Sequence, residues 1–142
     1  MASVVAYTGL APQIIEIETD AAENAFYKGD LVKTASGELV IATDGAITGI
    51  ALKTADGVAD TKIPVQLLNL NEIYVMAYST VTAESIVGVY ADITFTAGAH
   101  VVTDGTASED VYIVGLHPDD AVGTDGGRVL VRFDPTELAQ GI

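Results

Sequence analysis

The 142-residue chain holds 20 acidic and 6 basic residues, a formal net charge of −14, and no cysteine. That balance repels phosphate backbones, so direct nucleic-acid binding is not expected, and the missing thiols exclude disulfides and thiolate metal sites. Hydrophobic residues make up 49% and charged residues 18% of the chain, against about 25% charged in an average soluble domain, so other chains are expected to cover part of the apolar surplus.

Residues 1–13 lack a basic stretch and a long apolar core, so no secretory signal is expected. No run reaches the ~18 apolar residues of a membrane helix, and the chain reads as soluble and cytoplasmic at synthesis. Pro12 favours an extended lead-in. After it, Ile15 and Ile17 alternate with Glu16 and Glu18, the pattern of a half-buried edge strand. Residues 1–24 are read as an N-terminal arm that packs on its own barrel or on a neighbour. Residues 25–142 are read as one β-domain.

From Ala25 strands and turns follow one another steadily. "YKGD" is a turn; Leu31 to Lys33 and "LVIA" form a hairpin across "ASGE". A strand is expected from Ile47 to Leu52. Another is expected in "IPVQLL", where Pro64 suggests an edge or a bulge. "EIYVMAYS" is the next β-rich run. "TAESIVG" reads as one helical turn capped by Thr82. In the run after it, Val89, Ala91, Ile93 and Phe95 share one face, and Tyr90, Asp92, Thr94 and Thr96 share the other. The strands "VYIVGL" and "RVLVRF" follow, with Val129, Val131 and Phe133 inward and Arg132 outward. "DPTEL" carries the marks of a short closing helical turn: Asp134 at the N-cap, Pro135 at N1 and Glu137 at N3.

About ten short strands with turn signals every 8–12 residues or so predict an all-β fold. The text also echoes itself. "SGELVIATDGAITGIALKTADG" is similar to "AGAHVVTDGTASEDVYIVGLHPDD", and a strand follows each. Either two related β-modules fold against each other or shared turn chemistry produces the echo.

Chemistry is sparse. His100 and His117 stand outside any HxH or HExxH spacing and read as structural or solvated histidines. Serine-nucleophile, P-loop and dinucleotide signatures are absent. Asp119, Asp120 and Asp125 form the best candidate for a hard cation, without EF-hand spacing. No metal or cofactor is expected. Lys28 and Arg132 are scarce cations that form local ion pairs or mark a contact with an acidic neighbour.

The run "FYKGDLVKTASGELVIATDGAITGIALKTADG…IPVQLL", continued by "VGVYADITFTAGAHVVTDGTASEDVYIVGLHPDDAVGTDGGRVLVRF", resembles the head decoration (cement) proteins of tailed bacteriophages. The matching features are the "KGDLV" opening, the "GIAL" and "PV" strands and the closing "VLVRF". They cover about three-quarters of the chain. The resemblance implies a compact β-barrel or β-tulip, with an extended N-terminal arm, that forms homotrimers. It implies a non-enzymatic virion protein on the capsid exterior, bound to the major capsid protein at three-fold and quasi-three-fold positions of the expanded head. No nucleic-acid or membrane partner is implied. Carried onto this chain, the arm contacts are Tyr7, Leu10, Ile14, Ile15 and Ile17, to capsid or to a neighbouring protomer. Removing residues 1–23 is then expected to leave a folded barrel that docks poorly or fails to trimerise.

Two other readings stand beside it. A carbohydrate- or receptor-binding β-domain would use exposed tyrosines, for which Tyr74, Tyr78, Tyr90 and Tyr112 are available. A small β-barrel hydrolase would use paired carboxylates.

Overall fold

The computed structural model describes residues 4–19, 26–42, 47–58, 61–96 and 99–135. Its strands are β1 (Val5–Ala6), β2 (Ile14–Glu18), β3 (Leu31–Ala35), β4 (Glu38–Ile41), β5 (Gly49–Ala51), β6 (Lys62–Leu67), β7 (Tyr74–Tyr78), β8 (Tyr90–Thr96), β9 (Ala99–Thr103), β10 (Val111–Leu116) and β11 (Arg128–Phe133). The fold is all-β. A 3-10 turn lies at Glu84–Ile86.

The strands form two units. The second runs β7-β11-β10-β8-β9, and a parallel pairing of β7 with β9 closes it into a five-stranded barrel. The first runs β2-β6-β5-β3-β4. A single parallel bridge, Thr19 to Leu39, draws its two edges together at one end. The two orders are the same order. Each unit has its second and third strands as a hairpin, and in each the first strand meets the third in parallel.

Register agrees as well. The hairpins end at Ala35 opposite Glu38 and at Thr96 opposite Ala99. Aligning those ends and stepping outward makes Val32 equivalent to Ile93, and Ala51 to Val111. It also makes Val65 equivalent to Phe133, Ile63 to Val131, and Ile17 to Tyr74. The closing contacts then test the match without freedom to adjust. Thr19 beside Leu39 must correspond to Met76 beside His100, and that pair is one step from Ala77–Val101 in the β7–β9 register. The echo in the sequence is therefore a repeated five-strand architecture.

Packing follows from this plan. Phe26, Val32, Leu39, Ala51, Ile63 and Val65 fill the first unit. Tyr74, Met76, Val102, Val111, Ile113, Val129, Val131 and Phe133 fill the second, where Tyr74 meets Phe133 edge to face at 5.4 Å. Leu31, Ile50 and Leu68 turn out of the first unit into the core of the second. Two-sided burial of this sheet explains why Gly49, Ile50 and Ala51 are all buried. Each large side chain so covered contributes about 1.5–3 kcal/mol relative to exposure.

Several expectations change. Residues 4–19 lie along the molecule's own sheets. β1 pairs with β7 and β2 with β6, so the expected arm supplies one strand to each unit. Pro64 sits on an interior strand and not at a sheet edge. β5 ends at Ala51, so the missing Pro64 donor falls where that ladder stops. The helical turn near Thr82 forms, but Ala83 is its N-cap and makes no side-chain cap bond. The Thr82 hydroxyl instead points to the Thr124 carbonyl. The expected closing helix has no support: only Pro135, at the end of the described residues, has 3-10 backbone, and residues 136–142, Glu137 included, lie outside them.

Candidate functional site

The N-terminal segment crosses from one unit to the other, and a buried carboxylate holds it there. Glu72 is 2% exposed. Its Oε2 accepts the Thr8 amide at 2.8 Å and the Ile73 amide at 3.0 Å, and its Oε1 accepts the Leu10 amide at 3.0 Å. Three donors satisfy the charge that burial would otherwise penalise. The Tyr7 amide donates to the Ile73 carbonyl and the Leu67 amide to the Gln13 carbonyl, which pins both ends of the crossing.

The side chains on this fixed backbone face outward. Tyr7 is 45% exposed, Leu10 41%, Ile14 53% and Ile15 42%. Val5 is exposed too. Tyr7 rests edge-on against His117 with ring centroids 5.9 Å apart. Ile17 differs, because it packs against the core of the first unit and belongs to the fold. Four of the five residues singled out on the arm thus lie at the surface. Glu72, which binds the Leu10 amide and that of Thr8 beside Tyr7, gives no signal in the sequence. Its partners on the arm, Thr8 and Leu10, lie 64 and 62 residues away along the chain.

A second surface lies on the closed barrel. Tyr90, Tyr112 and Arg132 are direct neighbours across β8, β10 and β11. Tyr90 and Tyr112 stand edge to face at 5.2 Å, both exposed. With Leu70 they border a shallow groove of about 310 Å³. Tyr74 and Tyr78 are buried core residues and lie outside this surface.

The candidates for catalysis and metal binding are engaged otherwise. His100 is buried between the units, with Nε2 at 2.7 Å from the Ala42 carbonyl and Nδ1 accepting the Leu31 amide at 3.3 Å. Burial lowers its pKa, opposed by the Ala42 bond and by Asp30, whose Oδ1 lies 3.9 Å away. Burial also raises the Asp30 pKa, against the Tyr27 amide that its carboxylate accepts. His117 Nδ1 accepts the Asp119 amide within its own turn. Arg128 grips both oxygens of Asp120, at 3.0 and 2.9 Å. Those bonds hold the Asp120 carboxyl far below the usual carboxylate range. Asp92 gathers the amides of Ala107, Ser108 and Glu109. Asp110 accepts the Ile93 amide at 2.7 Å.

These carboxylates organise turns. Among the described residues, no three His, Cys, Asp or Glu side chains group as metal ligands, and no helix is long and apolar enough to cross a membrane. No family model and no curated protein matches the chain.

Proposed function

We propose that this chain is a non-enzymatic structural protein of a tailed-phage virion. In this reading it binds the outer surface of the expanded capsid at three-fold and quasi-three-fold positions, as a homotrimer, and stabilises the shell against internal pressure. One observation carries the reading. Tyr7, Leu10, Ile14 and Ile15 are exposed on a segment whose backbone is bonded to both units. Apolar side chains held on a stiff backbone lose little entropy when another surface covers them. Such contacts, repeated by symmetry, add through avidity. The residue pattern that resembles decoration proteins supplies the identity of the lattice, with the major capsid protein as partner. The location is the virion exterior after synthesis in the host cytoplasm.

The test mixes purified protein with expanded and with precursor capsids. Sedimentation of the free protein measures its assembly state. Trimers that co-sediment with expanded shells alone support the reading. A monomer that binds neither shell overturns it.

The paired Tyr90 and Tyr112 beside Arg132 favour a second reading, a carbohydrate- or receptor-binding surface. Glycan-array binding that Tyr90→Ala abolishes would select it over the first.

A further inference from the structure

The repeated architecture exposes a difference between the two units. In the closed barrel, the first strand, β7, bonds to β11 on one edge and carries two strands in succession on the other. β1 lies antiparallel beside Tyr74 and Val75, and β9 lies parallel beside Ala77 and Tyr78. The equivalent strand of the first unit is β2. It bonds to β6 on one edge, and among the described residues its other edge is bridged to β4 at Thr19–Leu39 alone. The place that β1 fills on β7 has no occupant on β2 among the described residues.

Strand geometry shows which groups face that place. The Leu67 amide donates to the Gln13 carbonyl and the Thr19 amide to the Thr61 carbonyl. In an antiparallel pair these groups alternate, so Gln13, Ile15, Ile17 and Thr19 face β6, and Ile14, Glu16 and Glu18 face away. By the register equivalence, Glu18 corresponds to Val75, which pairs with Val5. Glu16 corresponds to Ile73, whose carbonyl accepts the Tyr7 amide at 2.7 Å. The positions that receive β1 in the closed barrel therefore correspond to Glu16 and Glu18 in the first unit.

We infer that this edge of β2, unpaired among the described residues, is a strand-addition site for an extended, lysine- or arginine-bearing segment of a partner protein. The segment lies antiparallel, as β1 does, with cationic residues opposite Glu16 and Glu18 and a small apolar residue between them. Directly opposed opposite charges stabilise such a pair, and like charges disfavour it. Acidic side chains on an exposed edge also block pairing with another copy of the chain, which carries a net charge of −14. Main-chain bonds supply affinity and the two glutamates select the partner. This inference concerns the edge alone and stands whether or not the protein decorates a capsid.

The test uses the full chain and a synthetic seven-residue peptide of alternating valine and lysine. Hydrogen exchange at Ile14, Glu16 and Glu18 is expected to slow on adding the peptide, and a valine–glutamate peptide is expected to have no effect. Glu16→Pro removes only an outward N–H, because this residue does not donate to β6, so the ladder to β6 survives. Binding should weaken at least tenfold. The double change Glu16→Lys and Glu18→Lys should reverse the preference in favour of the glutamate peptide, and it remains informative should the proline variant misfold. Equal protection by both peptides, no protection by either, or an unchanged preference in the double variant would overturn the inference.

Discussion

His100 and Ala42 meet across the two units, with the imidazole Nε2 2.7 Å from the Ala42 carbonyl. The Leu31 N–H can only donate, so the Nδ1 facing it at 3.3 Å must accept, which places the proton on Nε2 and leaves the ring neutral. Burial lowers the His100 pKa below its ordinary 6.5. As pH falls through that value, unfolded chains take up a proton that the native ring resists. The unfolded state then binds more protons, and stability falls. Asp30 acts with the opposite sign in a lower window. Its pKa is raised above 3.8, so the native state takes up this proton first, and acidification there favours the fold. Urea unfolding between pH 8 and pH 5 should show little change at first and declining stability as pH falls through and below 6.5. His100→Leu should remove the His100 contribution. At pH 8 it should cost about 1–3 kcal/mol, because the Ala42 carbonyl and Leu31 amide lose their partner. An unchanged pH slope in this variant would refute the assignment.

Glu72 provides the second prediction. Glu72→Ala leaves the Thr8 and Leu10 amides without an acceptor, at a cost of about 1–3 kcal/mol. The effect should be local. Hydrogen exchange should quicken over residues 7–13 and remain slow in β10 and β11. Glu72→Gln should be intermediate, because one oxygen still accepts while the new amide opposes a donor. Uniform acceleration across both barrels would mean that the carboxylate supports the whole fold.

Ile14 and Ile17 separate surface from core within one strand. Ile14 is 53% exposed, whereas Ile17 packs on the first unit's core. Ile14→Thr should change stability by no more than about 0.5 kcal/mol. Ile17→Thr should cost about 1–3 kcal/mol, through lost packing and a hydroxyl brought toward an apolar interior. In the capsid reading, Ile14→Thr should weaken shell binding without altering the melting temperature. Equal destabilisation by both changes would contradict the placement of β2.

Much of this arrangement was legible in the sequence. Strict alternation in "RVLVRF" placed Val129, Val131 and Phe133 inward, and they are buried. "VYIVGL" coincides with β10. The textual echo marked the repeated strands, because hairpins and flanking turns are local features that a linear text records. Ile15 was expected to share the buried face of Ile17, yet it is 42% exposed. Alternation fixes which way a side chain points, not whether a core extends beneath it. The roles of Glu72 and Asp92 were illegible for a related reason. Their partners are backbone amides, which every residue but proline supplies, so no residue type marks them.

The hairpin turn of β3 and β4 carries a small, correctable strain. Ser36 has φ 52° and Gly37 φ 81°, the two left-handed positions of a type I′ turn. Serine tolerates that conformation less well than asparagine. Ser36→Asn should therefore raise stability by about 0.5 kcal/mol, measured by urea unfolding. A loss of stability would show that another contact of Ser36 outweighs its backbone strain.

The final prediction concerns truncation, where the structure replaces the simplest expectation from sequence. Removing residues 1–23 deletes β2 as well as β1. The first unit then loses the strand that pairs with β6 from Ile14–Gln66 to Glu18–Lys62, and with it the Thr19 bridge to Leu39. Ile63 and Val65, fully buried in the intact chain, would lose the strand beside them. That truncation should expose the core, bind a hydrophobic dye and aggregate. Weak capsid docking by it would say nothing about contacts. Removing residues 1–10 is the informative cut. It deletes β1, Tyr7 and Leu10 and keeps both five-stranded units. This shorter truncation should remain folded by circular dichroism, lose a modest part of its stability and bind expanded shells at least tenfold more weakly. Undiminished binding by a folded 11–142 chain would remove Tyr7 and Leu10 from the docking surface and leave Ile14 and Ile15 to carry it.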